Sequence, residues 1–524
     1  LFIFTIPFYK KKLNSKVIVI GSGVAGLSAA SYLAQAGFDV SLLEKNTTVG
    51  GRARKFEHEG FVFDMGPSWY WMPDVFEKFY SDFGETTSDF YDLKRLDPSY
   101  QVFWKNKEGI SIPANMEELE QLFERFEQGS SLKIRQFLKE AAYKYDVGIN
   151  DLVYKPSLHL LEFADIRLLR GMLKMDVFTS MKKHIRQFVS HPFLIELLEF
   201  PILFLGALPA NTPALYSLMN YADMSLGTWY PMGGMHNIIE AFESIAISQG
   251  VKIYTHTEAL KIECEKGIAT KVITNQKTFE ADIVVGAGDY HHIDQVLLEP
   301  NYQSYTPAYW NKRKLAPSSL LYYVGLNKRL KNLLHHNLFF DEDFTQHANE
   351  IYTHIQWPQK PLFYASVPSI TDKTVAPEGC ENLFLLIPVS TELTDDTEEI
   401  REKYFNMVIE RLEKLTKQTI KDHIVFKRSY AKQEFMTDYH SYKGNAYGLA
   451  NTLDQTAILK PRIKSKKVSN LYFAGQLTVP GPGVPPSIIS GKVAATLICK
   501  EFKQGFDGYA HREKQLKNEN TTHL

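Results

Sequence analysis

The first apolar block after residue 15, Val17 to Ile20, gives way abruptly to small residues in GSGVAGLSAASYLAQAG. A short and wholly apolar block predicts a buried strand. The Ala- and Leu-rich stretch behind it predicts a helix that stops at Gly37. A second block, Val40 to Leu43, predicts another strand and ends on an acid, Glu44. Similar blocks recur far downstream. Val251–Tyr254, Ala259–Ile262 and Ala281–Val285 read as strands, the last running into GAGDYHHID. Leu471–Phe473 reads as a strand before AGQLTVPGPGVPPSIISGKVAATLICK, where a helix with Ala, Val and Leu on its buried face is expected from Ser487 onward.

Between these blocks the pattern changes twice. Residues 100–113, 318–325 and parts of 350–390 carry the aromatic and β-branched residues of strands. WYPMGGMHNIIEAFESIAISQG reads as a turn at Gly233 and Gly234 followed by an amphipathic helix. Residues 115–220 read as mainly helical. In that region Arg167, Arg170 and Lys174 interrupt one apolar face, and HPFLIELLEFPILFLGALPANTPALYSLMNYA is the most apolar stretch of the chain. Such helices suit lipid contact, the walls of a greasy tunnel or ordinary core packing. No repeat period and no Gly/Ser linker emerges, so domains that exchange several crossovers are expected.

The glycines then give the first blocks a chemistry. Gly21, Gly23 and Gly26 form GxGxxG between a strand and a helix, and Glu44 follows eighteen residues after Gly26. In that setting Gly21 permits the tight turn, Gly23 lets backbone approach a pyrophosphate, and Gly26 lets helix and strand pack closely. The helix N-terminus offers unpaired N–H donors to phosphate, and Glu44 can accept from an adenosine ribose. Glu44 without a basic neighbour in its place argues against a 2′-phosphate. Gly50, Gly51 and Arg52, then FDMGPS, make close-approach turns that lean towards a flavin. The residues expected to hold FAD are Gly21, Ser22, Gly23, Ala25, Gly26, Glu44, Lys45, Gly51, Arg52, Gly66, Pro67, Ser68, Ala259, Gly475, Gly483 and Val484.

Composition narrows the alternatives. The 524 residues are 44% apolar and 13% aromatic, with 59 basic and 60 acidic side chains. A chain of this length can bury a large core, and about 150 residues per domain predicts about three domains. The near-zero net charge gives no whole-chain attraction to nucleic acid. Cys264, Cys380 and Cys499 form no metal-ligand spacing and read as small apolar residues. The adjacent His291 and His292 lack a suitably spaced carboxylate, so no metal is expected. Asp289 reads as a helix cap or a cofactor contact. No GxSxG elbow or HExxH motif occurs. The opening LFIFTIPFYKKK, with its Lys10–Lys12 arm, is too short to span a bilayer and orders its charge wrongly for a secretory signal. No transmembrane helix is expected.

The N-terminal fingerprint, EFPILFLGALPANTPALYSLMNYAD, YPMGGMHNI, GAGDYHHID and NLYFAGQLTVPGPGVPPSIISGKVAA together resemble the bacterial phytoene desaturase family. This is a carotenoid branch of the flavin amine-oxidase-like superfamily. The resemblance runs from Val17 to about Lys500, with departures at Gln476, Leu477, Val479, Pro482 and Pro486. It implies an α/β fold with a discontinuous Rossmann-like FAD-binding domain at 14–90, 225–300 and 456–503. A strand-containing substrate domain at 91–114 and 301–455 and a helical membrane and substrate-access region at 115–220 complete it.

The implied activity is FAD-dependent oxidation of phytoene, through four desaturations to lycopene. Hydroxycarotenoid or diapophytoene desaturation, flavin-dependent isomerisation and carotenoid binding without catalysis are the alternatives. The implied partners are a long apolar carotenoid and peripheral lipid at the cytoplasmic face of a membrane. The electron acceptor is left open between oxygen and a quinone. Asp146 is the expected catalytic acid/base, with Arg135 and Tyr145 as weaker neighbours.

Overall fold

A computed structural model describes residues 15–105, 108–159, 162 and 179–502. The Lys10–Lys12 arm and the basic positions Arg167, Arg170 and Lys174 lie outside the described residues.

Strand β1 (Lys16–Ile20) is the middle strand of a five-stranded parallel sheet. The order is Leu471–Phe473, Ile283–Gly286, β1, β2 (Asp39–Leu43) and Lys252–Tyr254. Every neighbouring pair is parallel, with Val17 opposite both Val40 and Ile283. The sheet therefore gathers strands from three distant stretches of chain. Val17, Val19 and Leu42 face one hydrophobic core with Leu27 and Ile239, while Ile18, Ile20 and Leu43 face a second with Val272 and Tyr290. Burial on both faces explains why these strands read as unbroken apolar runs rather than alternating ones. Helix α1 (Val24–Gln35) covers the first face beside the C-terminal helix Val484–Phe502. Contact between these helices is close: Ser28 Oγ donates to Ile488 O at 2.8 Å.

A seven-stranded sheet forms the other half of the molecule. Its order is Ile424–Tyr430, Ser318–Leu326, Glu381–Val389, Phe363–Ser366, His336–Phe340, Tyr100–Trp104 and Ile110–Ile112. All pairs are antiparallel except His336–Phe340 with Tyr100–Trp104. One face packs Tyr322, Leu385 and Leu320 against Val408 and Ile409 of the helix Glu398–Thr416. Residues of the other face, Leu321, Tyr364 and Phe384, belong to the same core as α1. The two sheets thus share one interior.

Helix α2 (Pro73–Asp82) precedes the helical region, which contributes α3 (Met116–Phe126) and α4 (Ser130–Tyr145). Asn115 caps α3 by accepting from the N–H groups of Glu117 and Glu118. Past Tyr145 the chain widens into a π-helical turn, Asp146–Leu152. Among the described residues no helix is long and apolar enough to cross a membrane.

One boundary differs from the sequence expectation. The C-terminal helix starts at Val484, not Ser487. Pro485 and Pro486 fit its first turn because N–H groups there have no helical partner to lose.

Candidate functional site

Between the β1–α1 turn and the seven-stranded sheet lies a cavity of about 810 Å³, at the upper part of the range for small-molecule sites, about 300–1,000 Å³. Its wall contains Gly21, Ser22, Gly23, Ala25, Glu44, Lys45, Gly51, Arg52, Gly66, Pro67, Ser68, Ala259, Gly475, Gly483 and Val484. Of the expected cofactor residues only Gly26 is absent from that wall, and its packing explains why. A Cβ at Gly26 would sit 1.9 Å from the Gly21 carbonyl oxygen. Gly26 serves helix-to-strand contact. Gly23 does the opposite, because a Cβ there would meet nothing within 4 Å. The open space beside Gly23, which caps α1 with no side-chain hydrogen bond, leaves the helix N-terminus accessible to an anion.

Glu44 is buried at the end of β2 and is held firmly. Its Oε2 accepts from Ser22 N at 3.1 Å and Ser22 Oγ at 2.6 Å, and its Oε1 from Asn46 N at 2.8 Å and Asn46 Nδ2 at 2.9 Å. A carboxylate with two oxygens offers about four acceptor sites, so Ser22 and Asn46 compete with any ribose hydroxyl for it.

Arg52 is the buried cation of the site. Its Nη2 donates to Ser441 Oγ at 2.8 Å and Asn445 O at 3.2 Å, and it lies over the Tyr439 ring. Burial pulls the guanidinium below its ordinary range, and Asp289 opposes that pull. Its Nε is buried without a hydrogen-bond partner, so an acceptor placed in the cavity would satisfy it. Asp289 performs both roles considered for it. It caps the helix Tyr290–Gln295 through His292 N at 3.1 Å, and it lines the cavity. His291 stacks on Tyr442 and His292 on His440, with burial holding their pKa values down at about 4 and about 3.

The C-terminal loop closes the same cavity. Gly475 (φ +117°) and Gly483 (φ +114°) hold left-handed backbone that other residues rarely adopt. Gln476 reaches Asn445 Oδ1 at 3.0 Å, while Leu477 is buried in the core. The first turn of the following helix offers few backbone N–H donors. Pro485 and Pro486 carry none, and Ser487 N bonds Gly483 O at 3.0 Å. That leaves Val484 as the first-turn donor.

Asp146 is not on the cavity wall. It is exposed at the end of α4, where it accepts from Asn150 Nδ2 at 2.7 Å. Four-residue spacing on a helix puts those two side chains together on the outer face, so the geometry removes Asp146 as acid/base. Arg135 is exposed and paired with Glu120 at 2.7 Å. Tyr145 donates to Asp74 Oδ1 in α2 at 2.7 Å. What the sequence reading missed is the opposite wall, made by Trp69, Trp71, Leu321, Tyr364, Phe384 and Leu386. A second pair of adjacent histidines, His335–His336, was the available signal beside it.

A parallel nucleotide-type sheet joined through one cavity to an apolar, aromatic sheet face is the arrangement of a flavin oxidoreductase with a greasy substrate. Residues 24–499 match the family of flavin-containing amine oxidoreductases. The chain is 38% identical over 488 residues to the carotenoid 3,4-desaturase of Haloarcula japonica, covering 93% of this chain and 98% of that one. It is 29% identical to the zeta-carotene-forming phytoene desaturase of Myxococcus xanthus, over 94% of this chain and 95% of that one. An oxidoreductase from Methanosarcina mazei shares the fold with a TM-score of 0.59 and 17% identity, over 91% of this chain and 99% of that one. The chain belongs to the flavin-containing amine oxidoreductase family, in its carotenoid-desaturase branch. It is accordingly a flavin-dependent enzyme of the carotenoid-desaturase type, and FAD is its cofactor.

Proposed function

We propose that the protein oxidises C–C single bonds of a long acyclic carotenoid to C=C bonds. The observation that carries this reading is the composition of the one cavity: the dinucleotide fingerprint on one side and the Trp69, Trp71, Leu321, Phe384 and Leu386 wall on the other. A polyene offers dispersion area and no charge, so an apolar, aromatic wall is what recognises it. Gly23, Glu44, Arg52, Gly66 and Val484 would hold FAD, which supplies hydride acceptance when bound. The wall positions the reacting carbons and excludes water.

The 38% relative favours a carotenoid already partly conjugated, desaturated near one end of the chain. Stepwise phytoene oxidation, through to lycopene, is the second reading; the 29% relative supports phytoene as substrate and is named for a zeta-carotene product. We assign 14–90, 225–300 and 456–503 to a cofactor domain, 91–114 and 301–455 to a substrate domain, and 115–220 to a membrane-facing access region. The test is anaerobic incubation of the FAD-loaded enzyme in liposomes with phytoene or with a 1-hydroxycarotenoid lacking the 3,4 double bond. Bleaching of the flavin with a newly conjugated product from the hydroxycarotenoid alone supports the first reading. Stepwise products from phytoene favour the second. An isomerised product with unchanged hydrogen content would sink both.

A further inference from the structure

Removing a hydride from one carbon leaves a proton to be taken from its neighbour, and the acceptor must face the polyene. With Asp146 on the outer surface, that role is vacant. The charged residues Glu44, Lys45, Arg52 and Asp289 on the cavity wall belong to the segments expected to meet FAD. On the opposite, apolar wall Tyr364 is distinguished by what stands behind it. His336 is wholly buried, and its Nδ1 lies 2.6 Å from Tyr364 Oη. The imidazole stacks on Trp69 at 4.2 Å and 10°. Its Nε2 is buried with no hydrogen-bond partner. The register of neighbouring strands creates the pair, with His336 opposite Ser366 and Leu338 opposite Tyr364. Ser68, on the turn that follows Gly66 and Pro67, lines the same cavity as the phenol, and with Ser366 it opposes the effect of burial on that hydroxyl. The phenol therefore joins the wall of the cavity, the expected cofactor turn and a buried imidazole.

We propose that Tyr364 takes the proton lost by the polyene at each desaturation while its own phenolic proton moves to Nδ1 of His336. The inference rests on the desaturase reading above. The atoms balance as follows: one C–H bond breaks with its electron pair leaving as hydride to the flavin, and the adjacent C–H bond breaks with its pair becoming the new C=C bond. The single proton so released goes to Tyr364 Oη, and the phenol's own proton goes to His336 Nδ1. Tyr364 is the catalytic residue because it faces the substrate, and His336 is a positioning residue that acts through it. Burial and the neighbouring His335 hold the imidazole well below its ordinary pKa. In its Nε2–H tautomer the neutral ring offers Nδ1 as the acceptor, and the extra proton returns through Tyr364 Oη to the cavity before the next cycle. A weak base suffices, since a carbon beside an allylic cation is strongly acidic.

The experiment compares the wild-type, Tyr364→Phe and His336→Phe holoenzymes in liposomes, each with its flavin content matched. Anaerobic flavin reduction by the carotenoid should slow by about 10²–10⁴-fold in Tyr364→Phe, the range for loss of a general base, with the flavin spectrum and carotenoid affinity unchanged. Substrate deuterated at the proton-losing carbon should show an isotope effect in Tyr364→Phe that the wild type lacks. A second readout needs neither cofactor nor turnover. In cofactor-free protein labelled with ¹⁵N-histidine, His336 should be the Nε2–H tautomer, and Tyr364→Phe should move its Nδ1 resonance. His336→Phe assigns that signal. Flavin reduction within about threefold of wild type in Tyr364→Phe, or an Nδ1–H tautomer of His336, would overturn the relay. Failure of the wild-type flavin to be reduced by any carotenoid overturns the desaturase reading itself, and the relay with it.

Discussion

The two walls of the cavity are built in opposite ways. On the cofactor side, most of the expected positions sit in short contiguous motifs, such as Gly21–Gly26 and Gly50–Arg52, and Gly21 and Gly26 have a local geometric reason. On the substrate side, Trp69, His336, Tyr364 and Phe384 come from four separate segments, and strand register brings them together. The first kind of wall is specified by a turn and the second by a sheet. A single substitution in the first should abolish cofactor retention, whereas one in the second should leave the cofactor in place and alter turnover.

The sharpest way to break that contrast is Gly26→Val. Its side chain would collide with the Gly21 carbonyl, 1.9 Å from the Cβ position. Purified protein should retain no flavin, read as the ratio of absorbance near 450 nm to protein absorbance. Tyr364→Phe should do the reverse, holding a full complement of flavin while its reduction slows as described above. If Tyr364→Phe also empties the site, the two walls are not separable. Next comes Arg52→Met, which removes a buried charge-assisted donor worth about 1.5–3 kcal/mol. FAD affinity should fall by about 10–100-fold in a titration, with substrate affinity little changed.

A smaller effect is expected from pH on the substrate wall. Folded His335 is held down at about 3, chiefly by burial, against an ordinary value of 6.5. The unfolded chain therefore binds this proton first, and stability is lost as pH falls from about 6.5 towards 3. His335→Asn keeps an amide near Thr371, the partner of His335 Nδ1 at 2.8 Å, and cannot take up the proton. Below pH 6.5 its stability relative to wild type should improve by about 1.4 kcal/mol per pH unit, measured by urea unfolding at pH 7 and 5.5. Smallest of all, Asp146→Asn should change turnover less than twofold, since the exposed carboxylate bonds Asn150 and is not on the cavity wall.

Legibility in the sequence follows the same division. Strands β1 and β2, α1 and Leu471–Phe473 were readable because unbroken apolar runs bounded by glycine have few alternative explanations. Even Ala259, more than two hundred residues from the fingerprint, was placed correctly against the cavity. Asp146 was misjudged because an acid in an apolar helical region draws attention, while only the helix phase tells inside from outside. Tyr364 carried no such mark, and His336 only its place in a pair of adjacent histidines. Their significance depends on one strand lying beside another, and a register shift of a single residue would turn either side chain to the opposite face. The early start of the C-terminal helix was obscured by prolines, which as readily end a helix as begin one.

The pairing of Leu471–Phe473 with Ile283–Gly286, and of the C-terminal helix with α1, has a consequence for biogenesis. The nucleotide fingerprint is synthesised more than four hundred residues before Leu471, yet its sheet lacks an outer strand and its pocket lacks a wall until residues beyond 470 have emerged. The nascent chain must close a loop of more than four hundred residues before the flavin can be enclosed. Such long-range contacts form slowly. Cofactor capture is thereby deferred until the strand at Leu471–Phe473 has been made, and a flavin-coloured molecule is one whose two chain-distant halves have already met.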